Sequence, residues 1–75
     1  MEIQVFYCQM WNYLPQAASL AAELKKTLGV EAKLTPGSKG IFDVYKNGDL
    51  IFSKFSTGRF PDKGEITKLL KDNWS

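Results

Sequence analysis

Asn47-Gly48 is the dipeptide that most restricts what this chain can become. It separates residues 41–46 from residues 50–55, two runs rich in aromatic and β-branched side chains. A two-residue hairpin turn of the favoured kind needs positive φ at both central positions, which asparagine and glycine tolerate best. The pair therefore predicts an antiparallel hairpin. Regular pairing across it sets Val44 against Ile51 and Phe42 against Ser53 on one face. Tyr45 with Leu50, and Asp43 with Phe52, then share the other.

Residues 2–8 are rich in β-formers (Ile3, Val5, Phe6 and Tyr7) and poor in charge, which predicts a central strand. Residues 12–28 predict a helix. Ala17, Leu20, Ala21, Leu24 and Leu28 recur at helical spacing, while Gln16, Glu23, Lys25 and Lys26 take the opposite face. Pro15 is tolerated only in the first turn, so the helix starts between Gln9 and Leu14. Gly29 is its natural stop. Val30, Ala32 and Leu34 alternate with Glu31 and Lys33, a short strand with one wet face, and residues 35–40 make a loop. Residues 56–61 make a second loop. Asp62-Lys63-Gly64-Glu65 then has the form of a capping box, opening a helix whose apolar face carries Ile66, Leu69, Leu70 and Trp74.

The order strand, helix, strand, strand, strand, helix fixes an α/β (α+β) fold in one domain over residues 1–75. Two strands joined by a helix run parallel with a right-handed crossover, so both end at the same edge of the sheet. The hairpin returns its second strand to that edge. Loops 8–13, 35–40 and 56–61 therefore gather there with both helix N-termini. Cys8, the one cysteine, stands at the junction of the first strand and the first helix. Unpaired amides and the positive end of the helix dipole there favour a thiolate, and Lys39 and Arg59 come within reach of it.

Composition narrows the function. A single cysteine forms no internal disulfide, which suits a reducing, cytoplasmic setting, and with no histidine one chain has no zinc or iron–sulfur ligand set. No apolar run approaches a membrane span, and the N-terminus does not have the build of a signal peptide. A formal charge of +2, with its lysines scattered, makes no nucleic-acid stripe. A ferredoxin-like RNA binder would need a closing strand and an aromatic signature that this chain does not have.

Several motifs taken together carry a resemblance. Tyr7-Cys8-x-x-x-Asn12-Tyr13-Leu14 is followed by Gly40-Ile41-Phe42-Asp43-Val44. The Asn47-Gly48 turn, Ile51-Phe52-Ser53-Lys54 and Gly58-Arg59-Phe60-Pro61 complete the set. In this order, over nearly the whole chain, they resemble the selenoprotein W-related (Rdx) family. The resemblance implies a minimal thioredoxin-like fold, with a mixed four-stranded sheet in order 2-1-3-4 and both helices on one face. It also implies thiol redox chemistry through Cys-x-x-Cys or Cys-x-x-selenocysteine, with glutathione or client protein thiols as partners. Glutathione would be a co-substrate; no bound cofactor is expected. Cys8 matches the first redox position, but the second is Trp11, and an indole cannot resolve a mixed disulfide. Pro36 falls where thioredoxin-like folds often carry a cis-proline facing the cysteine, although the rarity of cis X–Pro bonds favours a trans turn.

Two classes of function follow. In one, an exposed Cys8 thiolate forms a mixed disulfide that an outside thiol releases, with Lys39, Arg59 and Pro36 beside the substrate. In the other, the redox pair is lost and Trp11 with the neighbouring loops binds a protein. Each residue also has a plainer reading. Cys8 is then a small buried apolar side chain, Lys39 and Arg59 are solvated loop charges, and Phe60 is a core anchor. With both helices on one face, the other face of the sheet is open. It shows Ile41, Tyr45, Leu50 and Phe52, or Phe42, Val44, Ile51 and Phe55, and either set suits a partner or a homodimer.

Overall fold

The computed structural model describes residues 1–72; Trp74, expected on the last apolar helix face, lies outside them. Strand β1 (Ile3–Cys8) is followed by helix α1 (Leu14–Leu28), β2 (Ala32–Gly37), β3 (Phe42–Lys46) and β4 (Asp49–Ser53). A single helical turn, α2 (Lys54–Thr57), and helix α3 (Glu65–Asp72) complete the order. The four strands form one sheet in the order β2-β1-β3-β4, with β1 parallel to β2 and antiparallel to β3. This is the predicted topology.

Alternation along β1 sends Ile3, Val5 and Tyr7 to the helix-covered face. There they pack with Phe42, Val44 and Phe52 from the hairpin, Ala17, Leu20 and Leu24 from α1, and Ile66 and Leu70 from α3. Pro15 stands in the first turn of α1, and Gly29 closes it in the left-handed conformation, its N–H on the Lys25 carbonyl and the Val30 N–H on the Leu24 carbonyl. The helix begins at Leu14, the last position of the window that Pro15 allows.

Asn47 (φ 50°) and Gly48 (φ 88°) form the predicted turn. The register beyond it differs from the expectation. Tyr45 pairs with Leu50, but the ladder then slips, and Val44 pairs with Phe52 and Asp43 with Ser53. Ile51 is the extra residue of a β-bulge, which rotates Phe52 onto the covered face beside Val44. Neither apolar set predicted for the open face survives this slip. What remains there is Phe6 edge-on to Tyr45, ring centroids 5.5 Å apart, with Leu50 exposed opposite Tyr45.

Two other segments depart from the sequence reading. Residues 35–37 extend β2 rather than starting a loop, and residues 54–57 coil into α2, where residues 54 and 55 were expected to end the strand and residues 56 and 57 to open a loop. The capping box at α3 is half formed. The Glu65 carboxylate accepts from the Asp62 N–H at 2.8 Å, while the Asp62 side chain turns toward Arg59. Glu23 of α1 supplies further caps, accepting from the Gly64 N–H at 3.0 Å and from the Thr67 hydroxyl at 3.0 Å.

Candidate functional site

Cys8 ends β1, opposite Gly37 of β2. Its residue has 0 % of its surface exposed, which overturns the expected open thiol. The cause is local. Four residues, not a helix end, follow it, and they curl back over the strand terminus. The Tyr13 N–H donates to the Cys8 carbonyl at 2.9 Å, and the Gln9 N–H donates to the Gly37 carbonyl at 3.3 Å. Asn12 takes positive φ (59°) to complete the bend. One backbone donor, the Trp11 N–H, points at the sulfur, 3.3 Å from Sγ. The sulfur therefore meets a turn amide rather than the several free amides of a helix N-terminus, because α1 starts six residues downstream. Cys8 is also absent from the side-chain cluster that forms the core. It is nonetheless fully buried, at the end of the central strand with the Trp11 amide on its sulfur.

Trp11 is the opposite case. It is 58 % exposed, yet its ring lies against the backbone of Gly40: a Cβ built there would stand 2.5 Å and 2.9 Å from Cζ3 and Cε3 of the indole. Gly40 has φ +74°, so it supplies both the turn and the flat seat. Trp11 also meets Tyr13 edge-to-face at 6.1 Å, and Tyr13 meets Phe60 at 4.7 Å. Phe60 meets Phe42 at 5.2 Å, which makes it the core anchor read from the sequence. The Lys54 ammonium lies over Tyr13 and Phe60, 5.7 Å and 5.4 Å from the ring centroids.

The other predicted site residues are placed as follows. Pro36 lies in β2, in a trans peptide, and pairs with Tyr7; Gly37, not Pro36, stands opposite Cys8. As β2 is an edge strand, the missing N–H of Pro36 breaks no necessary ladder bond. Lys39 is exposed at positive φ (58°) beside Gly40 and takes part in no hydrogen bond or ion pair with the described residues. Arg59 is committed elsewhere. Its two terminal nitrogens grip Glu65 at 2.7 Å and 2.9 Å, and it lies over the Phe52 ring. Arg59 thus pins loop 58–64 to α3 and is not a partner of Cys8. A groove of about 630 Å³ between α1 and residues 61–63 includes no residue of loops 8–13 or 35–40 in its lining.

Tyr13, Gly40 and Lys54 were read only as parts of the family motifs and Glu23 only as part of the polar face of α1, with no role at the site. Asn12 carried a signal, since asparagine is the usual non-glycine residue at positive φ. Asp43 is a further surprise: its Oδ1 is enclosed with no hydrogen-bond partner among the described residues.

The Arg59 fork, with the Asp62 N–H in second place, holds the Glu65 carboxyl down at about 2. The contribution of this pair is complete above the ordinary value of 4.5 and fades as pH falls toward 2. Arg59→Gln is expected to return the Glu65 titration most of the way toward 4.5, the Asp62 N–H retaining part of the shift. Carbon-detected NMR of the Glu65 carboxyl reads this directly. A midpoint left near 2 would assign the shift to the backbone donor alone.

The comparisons with known proteins agree with this geometry. At 28 % identity, a selenoprotein W-related protein from Vibrio cholerae superposes with a TM-score of 0.88 over 95 % of this chain and 92 % of that one. A protein from Bordetella parapertussis superposes with a TM-score of 0.90 at 31 % identity, over 95 % and 94 % of the two chains. Migration and invasion enhancer 1 from Bos taurus, and that from Mus musculus, are each 29 % identical over 72 residues, 95 % of this chain. This chain spans 63 % of the length of those relatives. The profile of the Rdx family matches residues 2–72, and the chain belongs to that family of thioredoxin-like, redox-related proteins.

Proposed function

We propose that the chain is a thiol redox protein that acts through Cys8 once loop 9–12 lifts. The supporting observation is the amide of Trp11, in the turn after β1, lying on the sulfur of a cysteine that stands at the position the family resemblance gives to the first redox residue. Local opening of a loop requires far less free energy than global unfolding. In the exchange, the Cys8 thiolate attacks one sulfur of a disulfide RSSR. The Cys8–S–S–R bond forms, the R–S–S–R bond breaks, and RS⁻ leaves. Trp11 has no thiol for a second displacement, so an outside thiolate must attack the mixed disulfide and return Cys8 to its reduced state. Glutathione and client protein thiols fit both roles.

A second reading keeps the fold as a protein-interaction module built on Trp11 and the loops around Cys8. It is favoured by the contrast between a sealed sulfur and the outward aromatic next to it.

Alkylation separates the two. In the folded chain Cys8 is expected to react with iodoacetamide at least about a hundredfold more slowly than in urea, as burial requires. Trp11→Ala removes the side chain seated on Gly40 and is expected to accelerate the folded reaction about tenfold. Oxidised glutathione should then add one glutathionyl group per chain, read by intact mass. If Cys8 reacts only at the rate of global unfolding in both proteins, the redox reading fails and the interaction module stands.

A further inference from the structure

Four large apolar side chains in the turn after β1, at the start of α1 and in α2 stand exposed: Met10 (86 %), Trp11 (58 %), Leu14 and Phe55 (65 %). Trp11 touches Tyr13, whose ring carries the Lys54 ammonium, and Phe55 follows Lys54 in α2. On the other flank Trp11 rests on Gly40, next to Lys39. Charge on this edge has one sign. Residues 8–14, 37–41 and 53–60 include no aspartate or glutamate, and their cations are Lys39, Lys54 and Arg59. Glu65 and Asp62 neutralise Arg59, whereas Lys39 and Lys54 have no carboxylate partner in the described residues. An exposed tryptophan, backed by the partly buried Tyr13 and flanked by two ammonium groups without a carboxylate partner among the described residues, has the make-up of an interface centre with a charged rim.

We infer that this edge docks a protein segment combining aliphatic or aromatic side chains with carboxylates, the apolar groups on Trp11, Met10 and Phe55 and the carboxylates on Lys39 and Lys54. The inference rests on the second reading above and names the partner's chemistry. It does not need the thiol.

The test is a random peptide display library selected on the Cys8→Ser chain. Selected peptides are expected to carry aspartate or glutamate beside leucine, isoleucine or phenylalanine. Their affinity should fall at least about tenfold in Trp11→Ala and in the Lys39→Glu/Lys54→Glu double variant, as loss of an aromatic anchor or reversal of two rim charges implies. Circular dichroism must show both variants folded, and a Lys39→Gln/Lys54→Gln chain, with smaller losses, serves if the charge reversal unfolds it. Neutral or basic selected peptides, binding indifferent to these substitutions, or no enrichment would each overturn the inference. So would tighter binding to phosphatidylserine vesicles than to the best peptide, which would make the edge a lipid contact. As Cys8 is absent from the tested protein, failure here leaves the thiol chemistry untouched, and an inert thiol leaves the docking result standing.

Discussion

Phe42→Ala is expected to remove about 3–5 kcal/mol of stability, the usual cost of truncating a fully buried phenylalanine. Phe42 has no exposed surface, pairs with Tyr7 across the central strands and receives the edge of Phe60. Total stability for a native chain is only about 5–15 kcal/mol, and a chain this short belongs near the lower end. The variant should therefore be partly unfolded at room temperature, with a much reduced urea midpoint. Phe42→Leu fills most of the space and should recover more than half of the loss. A cost below about 1 kcal/mol for the alanine would mean that the neighbours collapse into the gap, contrary to the tight packing described.

Gly40→Ala should have the second largest effect, and it acts on the site. An alanine must adopt φ near +74° there, at a cost of about 1–2 kcal/mol for a left-handed backbone. Its methyl also occupies the place of the Trp11 ring. Because the indole is largely exposed, it can swing away, and the expected result is a displaced Trp11 over an otherwise intact sheet. The indole N–H resonance should move toward its solvent-exposed position, and Cys8 alkylation should accelerate as in Trp11→Ala. Gly40→Asn separates the two causes, since asparagine accepts the backbone angle but still carries a Cβ. It should shift the indole as far as alanine does with a smaller loss of stability. An unmoved resonance in both variants would contradict the seat described for Trp11.

Much of the architecture was legible because it depends on local chemistry. The Asn47-Gly48 turn, Pro15 in the first turn of α1 and the periodicity from Ala17 to Leu28 each act within a few residues. The strand order came from the family resemblance, and β1 against β2 is parallel as the connecting helix requires. The β4 register was not legible, because Leu50-Ile51-Phe52 is apolar throughout and offers no alternation to mark a slip. The burial of Cys8 was not legible either. It arises where loop 9–12 closes against Gly37 and Gly40, a meeting of segments distant in sequence. Arg59 read as a free cation because its partner, Glu65, looked like a purely local cap. Glu23 sat on what periodicity marks as the wet face of α1, and only the docking of α3 turned it into a cap.

The bulge at Ile51 has a consequence for how such a chain can drift under mutation. One surplus residue decides which side of the sheet Phe52 occupies. Side-chain exchanges in β4 that preserve size leave that choice intact, and deleting Ile51 would close the bulge into unbroken alternation with Phe52 still opposite Val44 on the covered face. The β4 segment should consequently tolerate the loss of Ile51 better than the loss of the paired Phe52, and a deletion scan across the hairpin would find its most forgiving step at the bulge.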